Sequence, residues 1–423
     1  MTTINVLGLG YTGLPTAGMF ATHGFQVTGV DVNEHIIRQL KAGAIHVKEY
    51  GLSELIQVGL NSGCFIPQTE PSAADVYIIA VPSPITAEKE ADLSYVEAAT
   101  KAIVPHVQPG NLVILESTVP PGTTKNVLAP ILSQSGLDTE KDLLIAHSPE
   151  RVLPGRILEE LVNNDRVVGG LTPEAAIAAR DLYAVFVQGE IYLTDATSAE
   201  MIKLMENTYR DVNIALANEF ALVAEAIDVN VWDAIDIANC HPRVNVLKPG
   251  PGVGGHCIAV DPWFLVQAAP STTQLIASAR RFNDQMPQRV AERVQSILTD
   301  APNPQIAALG LTYKADVDDA RGSPALDTIS CLQSMACEVR AFDPYLPNTA
   351  FAQSVESVEA AVSDADCLLI LTDHQSFQSL NPATIGQQMR SKIMVDTRNA
   401  MPHDIWREAG FMVYVLGSPL NRP

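Results

Sequence analysis

One thiol in this chain stands where chemistry is possible. Pro249-Gly250-Pro251-Gly252-Val253-Gly254-Gly255-His256-Cys257 is a glycine-dense run ending in a cysteine, with Asp261 four residues further on. Core cysteines sit in regular apolar elements, whereas neighbouring glycines permit close backbone approach and leave a sulfur accessible. Such a thiol, with a pKa near ~8.5 when unperturbed, becomes a nucleophile where an adjacent ammonium raises its thiolate fraction. Lys203 offers that ammonium. Lys203, Asn207 and Arg210 fall at i, i+4 and i+7 of a helical pattern and so share one face. Taken singly, a polar helix face is usually a wet surface and a cysteine usually a small buried hydrophobe. Together, the two clusters favour covalent catalysis.

A second constellation lies at the start of the chain. Gly8-Leu9-Gly10-Tyr11-Thr12-Gly13 follows a strand-like segment directly and opens a helical one, the context that a GxGxxG needs in order to cradle a pyrophosphate at a helix N-terminus. Asp31 ends the next strand, where a carboxylate hydrogen-bonds a ribose 2′-hydroxyl and repels a 2′-phosphate, so NAD is favoured over NADP. Glycine turns also arise for packing, and FAD shares the fingerprint, so FAD stays open at this point. A later strand again runs into glycine, at Ala308-Leu309-Gly310-Leu311, but continues Thr312-Tyr313-Lys314 without the glycine triplet. No second NAD is expected there. Lys314 and Arg321 beside that strand end would form a local basic patch for an anionic ligand, with a solvated charged loop as the equal alternative.

These groups need elements to hold them. Short apolar segments at 4–7, 26–30, 76–81, 112–116, 143–146 and 166–168 alternate with helical patterns at 14–22, 95–107 and 174–186, which predicts a parallel, doubly wound α/β domain. Thr172-Pro173 supplies an N-cap and a first-turn proline. From 199 to 227 no Gly or Pro interrupts a helical pattern too long to cover a sheet. Further helix is expected around 278–298, then a linker at Asp300-Ala301-Pro302-Asn303-Pro304. Alternation resumes with strands at 305–309, 338–342, 367–371, 393–396 and 412–416. The chain thus divides into a Rossmann domain (1–195), a central helical region (196–300) and a smaller Rossmann-like α/β domain (303–423).

Composition narrows the function. At 423 residues, two or three domains are expected. A net charge of −21 argues against a nucleic-acid partner, since phosphate backbones need clustered Lys and Arg. Apolar runs are strand-sized, far short of the roughly 20 residues of a membrane helix, and the opening MTTINVLGLG carries no secretory pattern. A soluble, cytoplasmic protein is expected, with no membrane partner. Six cysteines without a CxxC pair and nine histidines without HExxH spacing indicate neither a disulfide framework nor a metal site.

The blocks GLGYTG, VPSP (81–84), ESTVPPGT (116–123), SPERVLPG (148–155), KLMENTYRDVN (203–213), GVGGHCIAVDP (252–262) and GLTYKADVDDARGSP (310–324) occur in order along the chain. The chain resembles the nucleotide-sugar 6-dehydrogenases of the UDP-glucose/GDP-mannose dehydrogenase family over essentially its whole length. That resemblance implies an N-terminal NAD domain, a central dimerisation region and a C-terminal nucleotide-sugar domain. It further implies two successive oxidations of a sugar C6 alcohol with two NAD. Cys257 is implied to capture the aldehyde as a thiohemiacetal that becomes a thioester, Lys203 and Asn207 to handle the proton and oxyanion, and Asp261 to support hydrolysis. Gly8, Gly10, Tyr11, Thr12, Gly13, Asp31, Ser83 and Thr118 match NAD contacts. Glu150, Arg151, Val152, Lys203, Asn207, Arg210, His241, Arg243, Gly252, Tyr313, Lys314 and Arg321 are the implied substrate contacts, Arg243 reaching the site of the neighbouring subunit of a homodimer.

Branches acting on UDP-glucose carry a second glutamate near the position of Pro154. This chain lacks it, and Arg151-Val152 with His241-Pro242-Arg243-Val244-Asn245 resembles the branch that acts on UDP-N-acetylmannosamine. UDP-N-acetylglucosamine is the alternative substrate. Two other classes stay in play: a two-electron reductase with a structural Cys257, and a non-catalytic nucleotide-sugar sensor. The leading mechanism needs the Cys257 thiol beside the Lys203 amine and facing the nicotinamide.

Overall fold

Strand β1 (Thr3–Leu7) buries four of its five residues, as a central strand covered by helices on both faces must. Around it stand β2 (Gln26–Val30), β3 (Phe65–Gln68), β4 (Val76–Ile79), β5 (Leu112–Leu115), β6 (Leu144–His147), β7 (Arg166–Gly170) and β8 (Ile191–Asp195). The computed structural model describes residues 1–153, 155–298 and 303–419; Pro154 and the Asp300-Ala301-Pro302 part of the expected linker lie outside the described residues. The chain forms two compact units, Met1–Glu206 with Trp263–Thr272, and Asn207–Pro262 with Thr273–Pro423.

In the first unit the strand order is β3-β2-β1-β4-β5-β6-β7-β8. The chain crosses from β1 outward to β3 and then back to β4, so the carboxyl ends of β1 and β4 flank the topological switch point where such sheets bind ligands. Pairing is parallel except between β6 and β7, where Ala146 faces Gly170 in antiparallel register. Strand and helix alternation specifies neighbours but not direction, and a connection of this length can return either way. β3 and β8 stand outside the expected strands. β3 contains Pro67 on an edge, and β8 is half to fully exposed along its length, so neither shows the apolar run that marked the interior strands. The helix Gly13–Thr22 buries Leu14, Ala17 and Phe20 against Ile4 and Val6. Full burial of a side chain such as Phe20 stabilises the unit by roughly 1.5–3 kcal/mol. At the helix Pro173–Tyr183 the Thr172 hydroxyl accepts from the Ala175 amide, with proline following, as the sequence implied.

The long helix spans Ala196–Ala226, about 46 Å at 1.5 Å per residue. Asp195 starts it by accepting from the Ser198 amide at 2.9 Å. In the second unit its C-terminal part packs with the helix Gln274–Ile297 through a buried polar chain. Arg280 pairs with Asp211, the Asn283 amide donates to Asp211 at 2.8 Å, and Asn218 donates to Asn283 at 2.9 Å. The Asn218 carbonyl oxygen then accepts from Gly250 N at 2.8 Å, fixing the start of the glycine turn. Burial pushes the Asp211 carboxyl up to about 6 against the opposing pull of Arg280. Removing one partner from such a network is costly, because it leaves a buried polar group unmet.

The second sheet comprises β9 (Gln305–Leu309), β10 (Glu338–Phe342), β11 (Cys367–Ile370), β12 (Ile393–Asp396) and β13 (Met412–Val415), all parallel in the order β10-β9-β11-β12-β13. Three of these strands have the bounds expected from sequence, and the other two end one residue earlier.

Candidate active site

At the switch point of the first unit, Gly8 turns at φ +92°, and a Cβ there would lie 2.5 Å from the Ala80 carbonyl oxygen. A Cβ on Gly13 would strike the Gly8 carbonyl oxygen, whereas nothing lies within 4 Å of one on Gly10. The first and third glycines are therefore packing requirements, and the second leaves open space beside the helix N-terminus. Thr12 makes no side-chain cap and no acid occupies the first turn of Gly13–Thr22, so its amides can meet an anion. Tyr11 is exposed and Thr12 half-buried beside this opening. Asp31 accepts from Leu9 N at 3.0 Å and from Asn33 N at 2.9 Å while staying partly exposed. At the ends of β4 and β5, the Ser83 hydroxyl donates to the Thr118 carbonyl oxygen. Glycine cradle, bare helix end and acidic residue together fit a dinucleotide.

After β6 the chain enters the Ser148–Glu150 segment, which carries Glu150, one of the expected ligand contacts. Glu150 pairs with Arg166 at 2.8 Å and accepts from Arg151 N at 2.6 Å. Arg166 is buried and also bonds the Ser148 hydroxyl at 3.0 Å, lies 3.4 Å from Glu116, and stacks 4.1 Å from the Tyr183 ring centroid. Arg151 is tied to Glu206, and Val152 packs on the core. Two carboxylates thus share one guanidinium. Burial pushes the Glu116 carboxyl up to about 7, opposed by Arg166 and reinforced by Glu150.

Stability should follow that titration. A carboxyl raised by folding stabilises most fully below its ordinary value of 4.5, and the contribution fades as pH rises through about 7. His147 works in the other direction. Burial lowers it from 6.5 to about 3, so its contribution is complete above 6.5 and fades as pH falls towards 3. Glu116→Gln, which mimics the neutral acid, is expected to remove as much as about 3 kcal/mol of the stability lost by the parent between pH 4.5 and 7. Urea midpoints at pH 5 and pH 8 measure it; equal pH dependence in both proteins would refute the assignment.

In the second unit the glycine turn is packed onto the loop after β9. Gly252 sits at φ +138° with its would-be Cβ 2.9 Å from Pro324. A Cβ on Gly254 would meet the Gly322 carbonyl oxygen, and one on Gly255, at φ +83°, would lie 3.0 Å from the Tyr313 ring. The turn ends with Cys257 exposed. Its carbonyl oxygen accepts from Asp261 N at 2.8 Å, which opens the helix Asp261–Ala268. The buried Asn207 amide donates to the Asp261 carboxylate at 2.6 Å. Lys203, half-buried, stands one turn earlier on Asn207's helix, and Arg210 is exposed. Lys314 is exposed, while Arg321 is bidentate on Asp319 at 2.7 and 2.9 Å, so part of the expected basic patch is neutralised within its own loop. His241 and Arg243 lie in a fully exposed segment, with Arg243 N donating to His241 at 3.3 Å. Among the described residues no group of three or more His, Cys, Asp or Glu could hold a metal ion, and no helix is long and apolar enough to cross a membrane.

Three profiles of the UDP-glucose/GDP-mannose dehydrogenase family match consecutive parts of the sequence: the NAD binding domain over residues 2–187, the central domain over 197–285 and the UDP binding domain over 307–403. The chain belongs to this family. A UDP-N-acetyl-D-mannosamine dehydrogenase from Methanocaldococcus jannaschii is 47% identical, the alignment covering 99% of this chain and 97% of the relative. An NDP-N-acetyl-D-galactosaminuronic acid dehydrogenase from Ralstonia nicotianae is 46% identical over 94% of this chain and 95% of its own. The solved UDP-D-ManNAc dehydrogenase of Pyrococcus horikoshii superposes with a TM-score of 0.93 at 43% identity, covering 99% of this chain and all of that one.

Two residues beside the NAD-binding end of this family member escape any motif. His46 lies 2.9 Å from the Leu9 carbonyl oxygen through Nε2, so Leu9 is held on its amide by Asp31 and on its carbonyl by His46. Glu49 accepts from Gly155 N at 2.8 Å and Ile157 N at 3.0 Å, tying the same short segment to the chain after Arg151. Both sit in an irregular stretch between helices, where spacing carries no periodic signal.

Proposed function

We propose that this chain oxidises the C6 alcohol of UDP-N-acetyl-D-mannosamine to the carboxylate in two steps, with Cys257 as covalent nucleophile. The observation that carries this reading is the linked set in the second unit: an exposed thiol at the end of a glycine turn, joined through its own carbonyl to Asp261, whose carboxylate is held by Asn207. NAD, held by Gly8, Gly10, Tyr11, Thr12, Gly13, Asp31, Ser83 and Thr118, supplies the hydride acceptor for each oxidation. Lys203 takes the alcohol proton, and the Cys257 thiolate adds to the aldehyde carbonyl so that the aldehyde is not lost. The resulting thiohemiacetal is oxidised to a thioester, with Asn207 donating to the oxyanion. Asp261 orients the water that releases the acid and restores the thiol. The division into 1–195, 196–300 and 303–423 then serves cofactor, assembly and nucleotide.

The substrate contacts belong to the same proposal: Glu150, Arg151, Val152, Arg210, His241, Gly252, Tyr313, Lys314 and Arg321. A thiolate mechanism needs a reducing compartment, which supports a cytoplasmic location. Two NADH per UDP-sugar acid, with faster initial rates on UDP-N-acetylmannosamine than on its gluco or galacto epimers, is the expected assay result. One NADH and an aldehyde product would contradict it, and preference for another epimer would reassign the sugar.

A homodimer completes the site. Met205, Tyr209, Leu216, Phe220 and Val223 recur at spacings of three, four or seven residues along the long helix and are 41–57% exposed. An apolar row of this kind on a charged protein needs a cover, and a second copy of the same helix supplies one. In such a dimer the family resemblance implies that Arg243 of one subunit reaches the site of the other. Phe220→Asp is expected to give monomers in sedimentation and to lose at least about tenfold in kcat/KM through absence of that arginine. A dimer of full activity would count against the arrangement.

A further inference from the structure

We propose that His374, locked to Asp343, is a positioning residue for the loop 311–321: it fixes the backbone from which Tyr313, Lys314 and Arg321 reach the nucleotide sugar, without touching the ligand. This rests on the proposed function, in which that loop binds the UDP moiety.

The two sheets begin with the same turn. Gly8 N donates to the Val30 carbonyl oxygen at 2.8 Å and Gly310 N to that of Phe342 at 2.9 Å, with φ near +90° at both glycines. The acids that follow β2 and β10 are used differently. Asp31 stays partly exposed, whereas Asp343 is buried and accepts from Leu311 N at 2.7 Å, Thr312 N at 3.1 Å and Tyr345 N at 2.9 Å. His374 Nε2 lies 3.0 Å from the same carboxylate, and its side chain is fully buried.

On the other edge of the ring, Nδ1 accepts from Asp316 N at 2.9 Å. That bond requires a lone pair on Nδ1, which puts the proton on Nε2, facing Asp343. The imidazole thus bridges the acid that binds the first two loop amides to an amide four residues later. Thr312 Oγ1 sits 3.2 Å from Nε2 and donates to the Lys314 carbonyl oxygen at 2.9 Å. Tyr345 closes the group, its ring 5.0 Å from the imidazole and its hydroxyl donating to Asp316 at 3.0 Å. A histidine that only filled the core would need one partner on each nitrogen and no particular one. Here both nitrogens act on the segment that carries Tyr313 and Lys314. Tyr313 in turn lies against Gly254 and Gly255, so a displaced loop would also disturb the turn that ends at Cys257.

The test compares full-length His374→Ala, His374→Asn and His374→Gln with the parent. UDP affinity is measured by calorimetry, and KM for UDP-N-acetylmannosamine and for NAD by kinetics. Asn restores an acceptor where Nδ1 stood; Gln restores a donor towards Asp343 but leaves the Asp316 amide unmet. His374→Ala should weaken UDP binding and raise the sugar KM by about tenfold or more, Asn should recover most of this, and KM for NAD should stay within about twofold. A folded His374→Ala that binds UDP like the parent overturns the proposal, as does equal loss in Ala and Asn, which would mean packing alone. If His374→Ala fails to fold, Asn binding UDP no better than Gln overturns it. A parent enzyme that binds no UDP would instead sink the function on which this inference rests.

Discussion

Cys257→Ser is expected to lower formation of the UDP-sugar acid by several orders of magnitude, about 10³-fold or more, while leaving the fold intact. The thiol ends a turn in which Gly252, Gly254 and Gly255 each carry backbone against a neighbour that a side chain would strike. The sulfur is exposed, so exchanging it for oxygen should change stability by no more than about 0.5 kcal/mol. A serine hydroxyl with the same placement is far less ionised at neutral pH than a thiol and is a poorer nucleophile. First-step oxidation can persist, so the variant should release aldehyde with one NADH at a residual rate. Acid production within tenfold of the parent would mean that Cys257 is structural and that the acid forms without a thioester on it.

Asp261→Asn separates hydrolysis from oxidation. The carboxylate is buried and accepts from the Asn207 amide at 2.6 Å, and its backbone amide donates to the Cys257 carbonyl oxygen. Asn can keep the contact with Asn207 but cannot accept a proton from water. Loss of a positioned general base costs typically 10²–10⁴-fold, so steady-state turnover should fall by about 10²-fold or more. Both oxidations should still run once, giving a burst of two NADH per active site in rapid-mixing experiments. A proportionate slowing of the burst itself would place Asp261 in the oxidation steps.

What the sequence reveals and what it hides follow different physics. Local patterns are legible: the glycine spacing at 8, 10 and 13, the alternation that gives β2, β9, β10 and β12 their exact bounds, and the unbroken helix that leads through Lys203, Asn207 and Arg210. Partnership at a distance is not. Asn207 and Asp261 belong to separate motifs, and nothing in a spacing of 54 residues says that they meet. Glu150 enters only through the resemblance of its block, and nothing in that block says that Arg166, 16 residues on, pairs with its carboxylate. His46 and His374 act on backbone amides and carbonyls, which have no sequence identity to recognise. The reversal of β7 is hidden for the same reason, since side-chain pattern is indifferent to strand direction.

Peptide mass spectrometry on Asp261→Asn, quenched in acid after one turnover with UDP-N-acetylmannosamine and NAD, tests the central claim most directly. The account predicts a UDP-N-acetylmannosaminuronyl thioester on the peptide bearing Cys257, removed by hydroxylamine and absent from Cys257→Ser. Full conversion to two NADH per site with an unmodified Cys257 peptide, or an adduct on another residue, would contradict it.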